Sequence, residues 1–203
     1  MLVGAGLALF LVLGGDDPAP VARKKEPPPP PFAFTDAETE FIAVGVALDK
    51  VDEATRLQAA ADVVGVMDAI YDAGFVTRSR WGDGTFPDVV AQFDQKASAR
   101  AQENLAELTL GPESARVIEV TPGESTLAVS ILLSKKEATG AVTRASFQAE
   151  ATLKGGGTMT ISHMGTYYLR PLDQGWKIVG FEVEGTLDSA SPTAAPSPTG
   201  AAA

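Results

Sequence analysis

Hydrophobic side chains fall on every second position through the last third of the chain. Ala145, Phe147, Ala149, Ala151 and Leu153 form one such set, and Met159, Ile161, His163, Tyr167 and Leu169 form the next. A period of two marks strands that bury one face. Gly155-Gly156-Gly157 joins these two, and Asp173-Gln174-Gly175 turns into a final strand that opens Gly175-Trp176-Lys177-Ile178-Val179-Gly180-Phe181. Earlier, Arg116 to Thr121 reads as a strand closed by a Pro122-Gly123 turn. Leu127, Val129, Ile131 and Leu133 line the strand after it, and Lys135 to Gly140 make a polar turn. Consecutive strands on short turns predict an antiparallel sheet.

The opposite phase is not cleanly polar. Leu132, Met164, Tyr168, Trp176 and Ile178 fall off the core set, and Val179, Phe181 and Val183 share a phase that Trp176 and Ile178 do not. Two readings follow: a last strand apolar on both faces, exposing an interface patch, or a bulge near Gly180 that tucks everything into one core.

Before the strands the period changes. Leu57, Ala61, Val64, Met67, Tyr71 and Phe75 step by three or four, predicting an amphipathic helix with Asp62, Asp68 and Asp72 on its wet side. Trp81 to Pro87 is a turn-rich loop, Pro87 opens a short helix through Phe93, and a third helix runs from about Lys96 to Leu108. Ahead of these, Ile42, Val44, Val46 and Leu48 alternate as a short strand, while Thr35 with Glu38 offers a competing helix start. The expected fold is α+β: about three N-terminal helices on a strongly curved antiparallel sheet of four to six strands.

The flanks differ in kind. Residues 1–15 carry no charge and no proline, a run of about 22 Å as a helix against ~30 Å of hydrocarbon. The reading adopted is a membrane anchor lacking its first turns, ahead of a signal-peptide core or an interior helix. Residues 16–32 form a Pro-rich linker whose run Pro27 to Pro31 favours a stiff polyproline standoff. The domain spans 33–188, and a disordered Ser/Thr/Pro/Ala tail fills 189–203. Arg23, Lys24 and Lys25 would hold their side in the cytoplasm by the positive-inside rule. Spacer and tail resemble the flanks of exported bacterial domains, so the domain is expected outside the cytoplasm at the cell membrane.

Charge narrows the partners. The net charge is -10, and residues 33–113 hold 15 acids against 6 bases while 114–188 hold 8 against 7. Phosphate backbones would repel such a surface, which argues against nucleic acid. There is no cysteine and one histidine, so thiolate chemistry is excluded and a zinc site is disfavoured. No cofactor and no metal are expected. His163 shares a strand face with Tyr167, making these two, with Trp81, the candidates for lining a pocket. A phase-matched acid to partner His163 is missing from the pattern. Glu150, Glu182 and Glu184 lie off the core phase, so no catalytic residue is assigned. The interface candidates are Trp176, Ile178, Tyr168, Met164 and Leu132.

Three helices, a bent sheet and a last strand opened by Trp176, Ile178 and Phe181 resemble the nuclear-transport-factor-2-like, cystatin-like α+β cone superfamily over roughly residues 50–187. With the apolar run and prolines in front, the chain is similar to actinobacterial membrane-anchored, mammalian-cell-entry-associated members. That resemblance implies a cone between helices and sheet, used by some members for isomerase, cyclase or dehydratase chemistry and by others as a non-catalytic scaffold. Since the inward positions here are hydrocarbon and alanine, the function expected is protein–protein interaction or envelope-complex assembly. The expected partners are the membrane through residues 1–15, and a protein or a second copy through the sheet. The alternatives are a cone binding a lipid or polyketide-like molecule, and an enzyme using His163.

Overall fold

The computed structural model describes residues 31–190. Expectations for the apolar run, most of the proline linker and the tail beyond Ala190 lie outside these residues. Among the described residues no helix is long and apolar enough to cross a membrane.

One five-stranded sheet has the order β1 (Asp36–Val44), β2 (Val117–Ser134), β3 (Glu137–Leu153), β4 (Thr158–Leu172), β5 (Gly175–Ala190). Helices α1 (Glu53–Tyr71), α2 (Pro87–Val90), α3 (Gln95–Glu103) and α4 (Leu105–Leu108) lie between β1 and β2 and cover one face. This is the expected α+β architecture. Asp52 caps α1 through the Thr55 amide, and Asp94 caps α3 through that of Ala97, satisfying donors that a helix start leaves free. Lys135 and Lys136 both take positive φ in the two-residue turn between β2 and β3, a tighter hairpin than the polar run predicted.

Three local expectations are corrected. β1 runs parallel to β2, because the whole helical layer separates them and gives the long crossover that parallel pairing requires. Pro122-Gly123 is not a turn: β2 continues through it with a register shift between Pro122 and Ser125. β1 pairs only with residues 126–134, so β2 has a free edge beside Pro122, where a missing amide is tolerated best. In α1 the buried face is Ala59, Val63, Met67, Ile70 and Tyr71, whereas Leu57 and Ala61 are exposed. An Ala/Val-rich helix start supports two rotations nearly equally, and contact with the sheet selects one.

The last strand resolves by a bulge. Tyr168 pairs with Gly180 but Leu169 pairs with Ile178, so Val179 is the extra residue. That single insertion puts Trp176 and Ile178 on the same inner face as Phe181, all three buried. The Ile178 backbone then bonds the helical layer, accepting from Asp94 N at 2.9 Å and donating to Gln92 O at 3.0 Å. Of the two readings of the last strand the bulge near Gly180 holds, and Trp176 and Ile178 are core residues, not interface residues.

Candidate functional site

The inner face of β3 and β4 and the end of α1 meet in an aromatic cluster. Tyr71, Phe75, Phe147 and His163 pack in stacked, tilted and edge-on pairs with ring centroids 5.0–5.6 Å apart. Tyr167 sits beside Tyr71, and its ring lies over Gly165, where a Cβ would come within 2.6 Å of it. The sequence pattern brought His163 and Tyr167 to one face, and the structure keeps them there. Trp81 is buried in the core but belongs to the loop before α2, outside this aromatic cluster.

His163 is 2% exposed. Its Nε2 lies 3.0 Å from the Glu107 carbonyl, which can only accept, so Nε2 carries the proton. Nδ1 then accepts from the Tyr71 hydroxyl at 2.9 Å. Burial pushes the imidazole pKa down to about 4, offset in part by the carbonyl bond, so the ring is neutral near neutral pH. Neither ring nitrogen is bonded to a carboxylate, and both are engaged. Burial raises the pKa of Tyr71, and of Tyr167 even though the neighbouring Tyr71 hydroxyl opposes it. The Tyr167 hydroxyl itself is buried with no hydrogen-bond partner.

The sequence reading missed what closes this cluster. Phe32 and Phe34, directly behind the proline run, are buried against it. Phe32 meets Phe147 edge-on at 5.5 Å, and Phe34 meets Tyr71 at 4.9 Å. Asp68 and Asp72 were expected on the wet side of α1. Instead they accept the backbone amides of Phe34 and Phe32, each at 3.1 Å. Asp72 is also bonded by Thr77 Oγ1 at 2.8 Å and paired with Arg80 at 3.1 Å, so a 3%-exposed carboxylate is fully engaged. Two signals were available: a Phe-x-Phe next to a spacer, and carboxylates at i and i+4. That helical spacing is about 6 Å, close to the roughly 6.6 Å between alternate amides of an extended chain.

The outer sheet face is open. A cavity of about 750 Å³ runs across the strands, bordered by Glu38, Arg144, Met164 and Glu182 and also by Arg100, Asn104 and Glu107 of the α3–α4 segment and by the buried Leu127, Ala145 and Phe181. Register sets Glu38, Ala128, Arg144, Thr166 and Glu182 in one row across the sheet. Of the expected interface residues, Met164 is 59% exposed, Tyr168 is 38% exposed and Leu132 is half-buried beside exposed Ile42. A second cavity of about 450 Å³ lies between the start of α3 and the turn before β5. His163, Tyr71 and Tyr167 line neither. No cluster of three or more His, Asp or Glu side chains suited to a metal occurs among the described residues.

No family model matches this chain, and no curated protein matches it. Among solved structures it is similar to a crystal structure from Novosphingobium aromaticivorans provisionally assigned as an aromatic ring hydroxylase. The likeness covers 68% of this chain and 93% of that one at 15% identity with a TM-score of 0.39. A likeness of that size bears on neither activity nor ligand.

Proposed function

We propose that this chain is a membrane-anchored, non-catalytic domain of the nuclear-transport-factor-2-like kind, acting outside the cytoplasm in protein–protein interaction or envelope-complex assembly. The observation that carries this reading is where the open space lies. Phe32, Phe34, Tyr71, Phe75 and Phe147 fill the interior around His163, while the main cavity, shared by the strands and the α3–α4 segment, is lined by none of His163, Tyr71 and Tyr167. Its lone imidazole is neutral and hydrogen-bonded at both nitrogens, which leaves neither nitrogen free for general-base work. Exposed Met164 and Tyr168 amid ionised side chains have the mixed chemistry of a contact surface. Anchoring rests on the uncharged run at residues 1–15, and standoff on Pro27 to Pro31.

Photocrosslinking from the outer face tests this. A photoreactive residue at Met164, in the full chain in its native membranes, is expected to give one discrete product. The same residue at exposed Asp62, on the helical side, is expected to give none. Equal yields of diffuse products at both positions would sink the reading. Cleavage of the domain by protease added to intact cells tests its location.

A further inference from the structure

We propose that two copies of this chain join edge to edge, β1 against β1 in an antiparallel pairing centred on Ile42, so that two five-stranded sheets become one continuous sheet. The surface is the margin of the sheet and not its outer face. The proposal does not depend on the sheet-face reading.

The two margins of the sheet differ. β5 is closed at its start, where Phe93 bridges to Ile178 and the Ile178 backbone bonds Asp94 and Gln92. Among the described residues no strand pairs with the far side of β1. A strand paired on one side only leaves every second residue's N–H and C=O open on the other. Edges are commonly blunted by proline, lysine, a bulge or shortness. β1 has nine residues, neither proline nor lysine, and an unbroken register against β2.

Side chains choose the occupant and the register. The first half of β1 carries Asp36, Glu38 and Glu40, whereas Phe41 to Val44 is uncharged and rich in strand formers. Ile42 and Val44 share one face and are both exposed. Like charges directly opposite one another destabilise a strand pair. A two-fold centre at Glu40 sets carboxylate against carboxylate. One at Phe41 sets ring on ring, and one at Ala43 leaves only Ile42 to Val44 of each strand to pair. Centred on Ile42, the pairing sets Ile42 against its own counterpart, Phe41 against Ala43 (large against small) and Glu40 against Val44. No carboxylate then faces another. Glu40 is also drawn back from the edge, since it accepts from Ser130 Oγ of β2. Two-fold symmetry makes the strands antiparallel and closes the assembly at two copies, each β1 edge covering the other.

The chain has no cysteine, so single cysteines report the geometry of the pair. The test uses the full chain in detergent, with micelles in excess over protein, under mild oxidation. At Ile42→Cys the two Cα atoms would lie roughly 4.5–5.5 Å apart, within disulfide range. At Glu38→Cys they would lie about 26 Å apart, eight residues along extended chain. Ile42→Cys is expected to give at least tenfold more disulfide-linked dimer than Glu38→Cys. Ile42→Lys, a charge on the open edge, is expected to weaken association at least tenfold in sedimentation equilibrium with unchanged far-ultraviolet circular dichroism. Should that variant fail to fold, the cysteine pair decides. Equal cross-linking at Ile42→Cys and Glu38→Cys overturns the proposal, as does a folded Ile42→Lys variant that associates like wild type. Disulfide dimers through Met164→Cys but not through Ile42→Cys would place the contact on the outer face and overturn the edge.

Discussion

The Tyr71 hydroxyl donates to His163 Nδ1 across 2.9 Å, joining the end of α1 to the middle of β4 inside the aromatic cluster. With the Glu107 carbonyl on the other nitrogen, the imidazole ties α1, α4 and the sheet together as a neutral hydrogen-bonding element. A structural role of this kind has consequences for stability that a catalytic base would not share.

Stability should depend on pH through His163. Its folded pKa is depressed to about 4, below the 6.5 of the unfolded chain, so between these values the unfolded state binds the extra proton. Unfolding free energy is therefore expected to rise with pH across that window, by up to about 3 kcal/mol, and to fall as pH drops through it. Asp68, whose carboxyl is raised by burial, acts oppositely just above its ordinary value of 3.8. Urea titrations at pH 4.5 and 7 read the difference, which His163→Gln should largely abolish. Tyr71→Phe should cost about 1–3 kcal/mol by leaving Nδ1 unsatisfied.

The bulge at Val179 makes a sharper claim. Deleting this one residue gives a regular ladder in which Ile178 still pairs with Leu169 and, with Trp176, stays on the inner face. The deletion is therefore expected to cost less than the about 3–6 kcal/mol that exposing both side chains would cost by ordinary transfer values. An unfolding free energy from urea titration lowered by that full amount would show that β5 does not keep Trp176 and Ile178 inside once the bulge is gone.

Gly165 should tolerate no side chain. A Cβ there would lie 2.6 Å from the Tyr167 ring, and that ring is fully buried with nowhere to move. Gly165→Ala is expected to destabilise by about 1–3 kcal/mol through overpacking. Adding Tyr167→Leu should recover much of the loss, a double-mutant comparison that a purely backbone effect would not satisfy.

Asp72 and Arg80 should differ although they form one pair. Asp72 is buried and bonded to Phe32 N, Thr77 and Arg80, so Asp72→Ala removes several charge-assisted bonds and should cost about 2–4 kcal/mol. Arg80 keeps 43% of its side chain in solvent, and Arg80→Ala should cost about 1 kcal/mol or less. Thermal unfolding of the two variants gives the order directly.

Much of the sheet was legible. The inner residues of β2, β3 and β4, from Leu127 to Leu169, alternate without exception because each strand buries a single face. His163 and Tyr167 followed from the same phase. Their bonding partners did not, because Tyr71 and Glu107 lie 92 and 56 residues from His163 in the chain. Asp68 and Asp72 misled for the same reason. A carboxylate on a helix looks solvated until the segment that hands it an amide, here 34 and 40 residues away, is in place.

By itself the order of residues determined the local periods: α-helical stepping after Glu53, strand alternation after Val117, a spacer rich in proline and an excess of acid. These are near-neighbour effects, set by side-chain shape, backbone sterics and charge. Only the folded chain decided that β1 pairs in parallel, that a bulge at Val179 keeps Trp176 and Ile178 inward, and that Phe32 and Phe34 fill the space beneath α1. Each of those depends on surfaces distant in sequence competing for the same apolar volume, which no local pattern encodes.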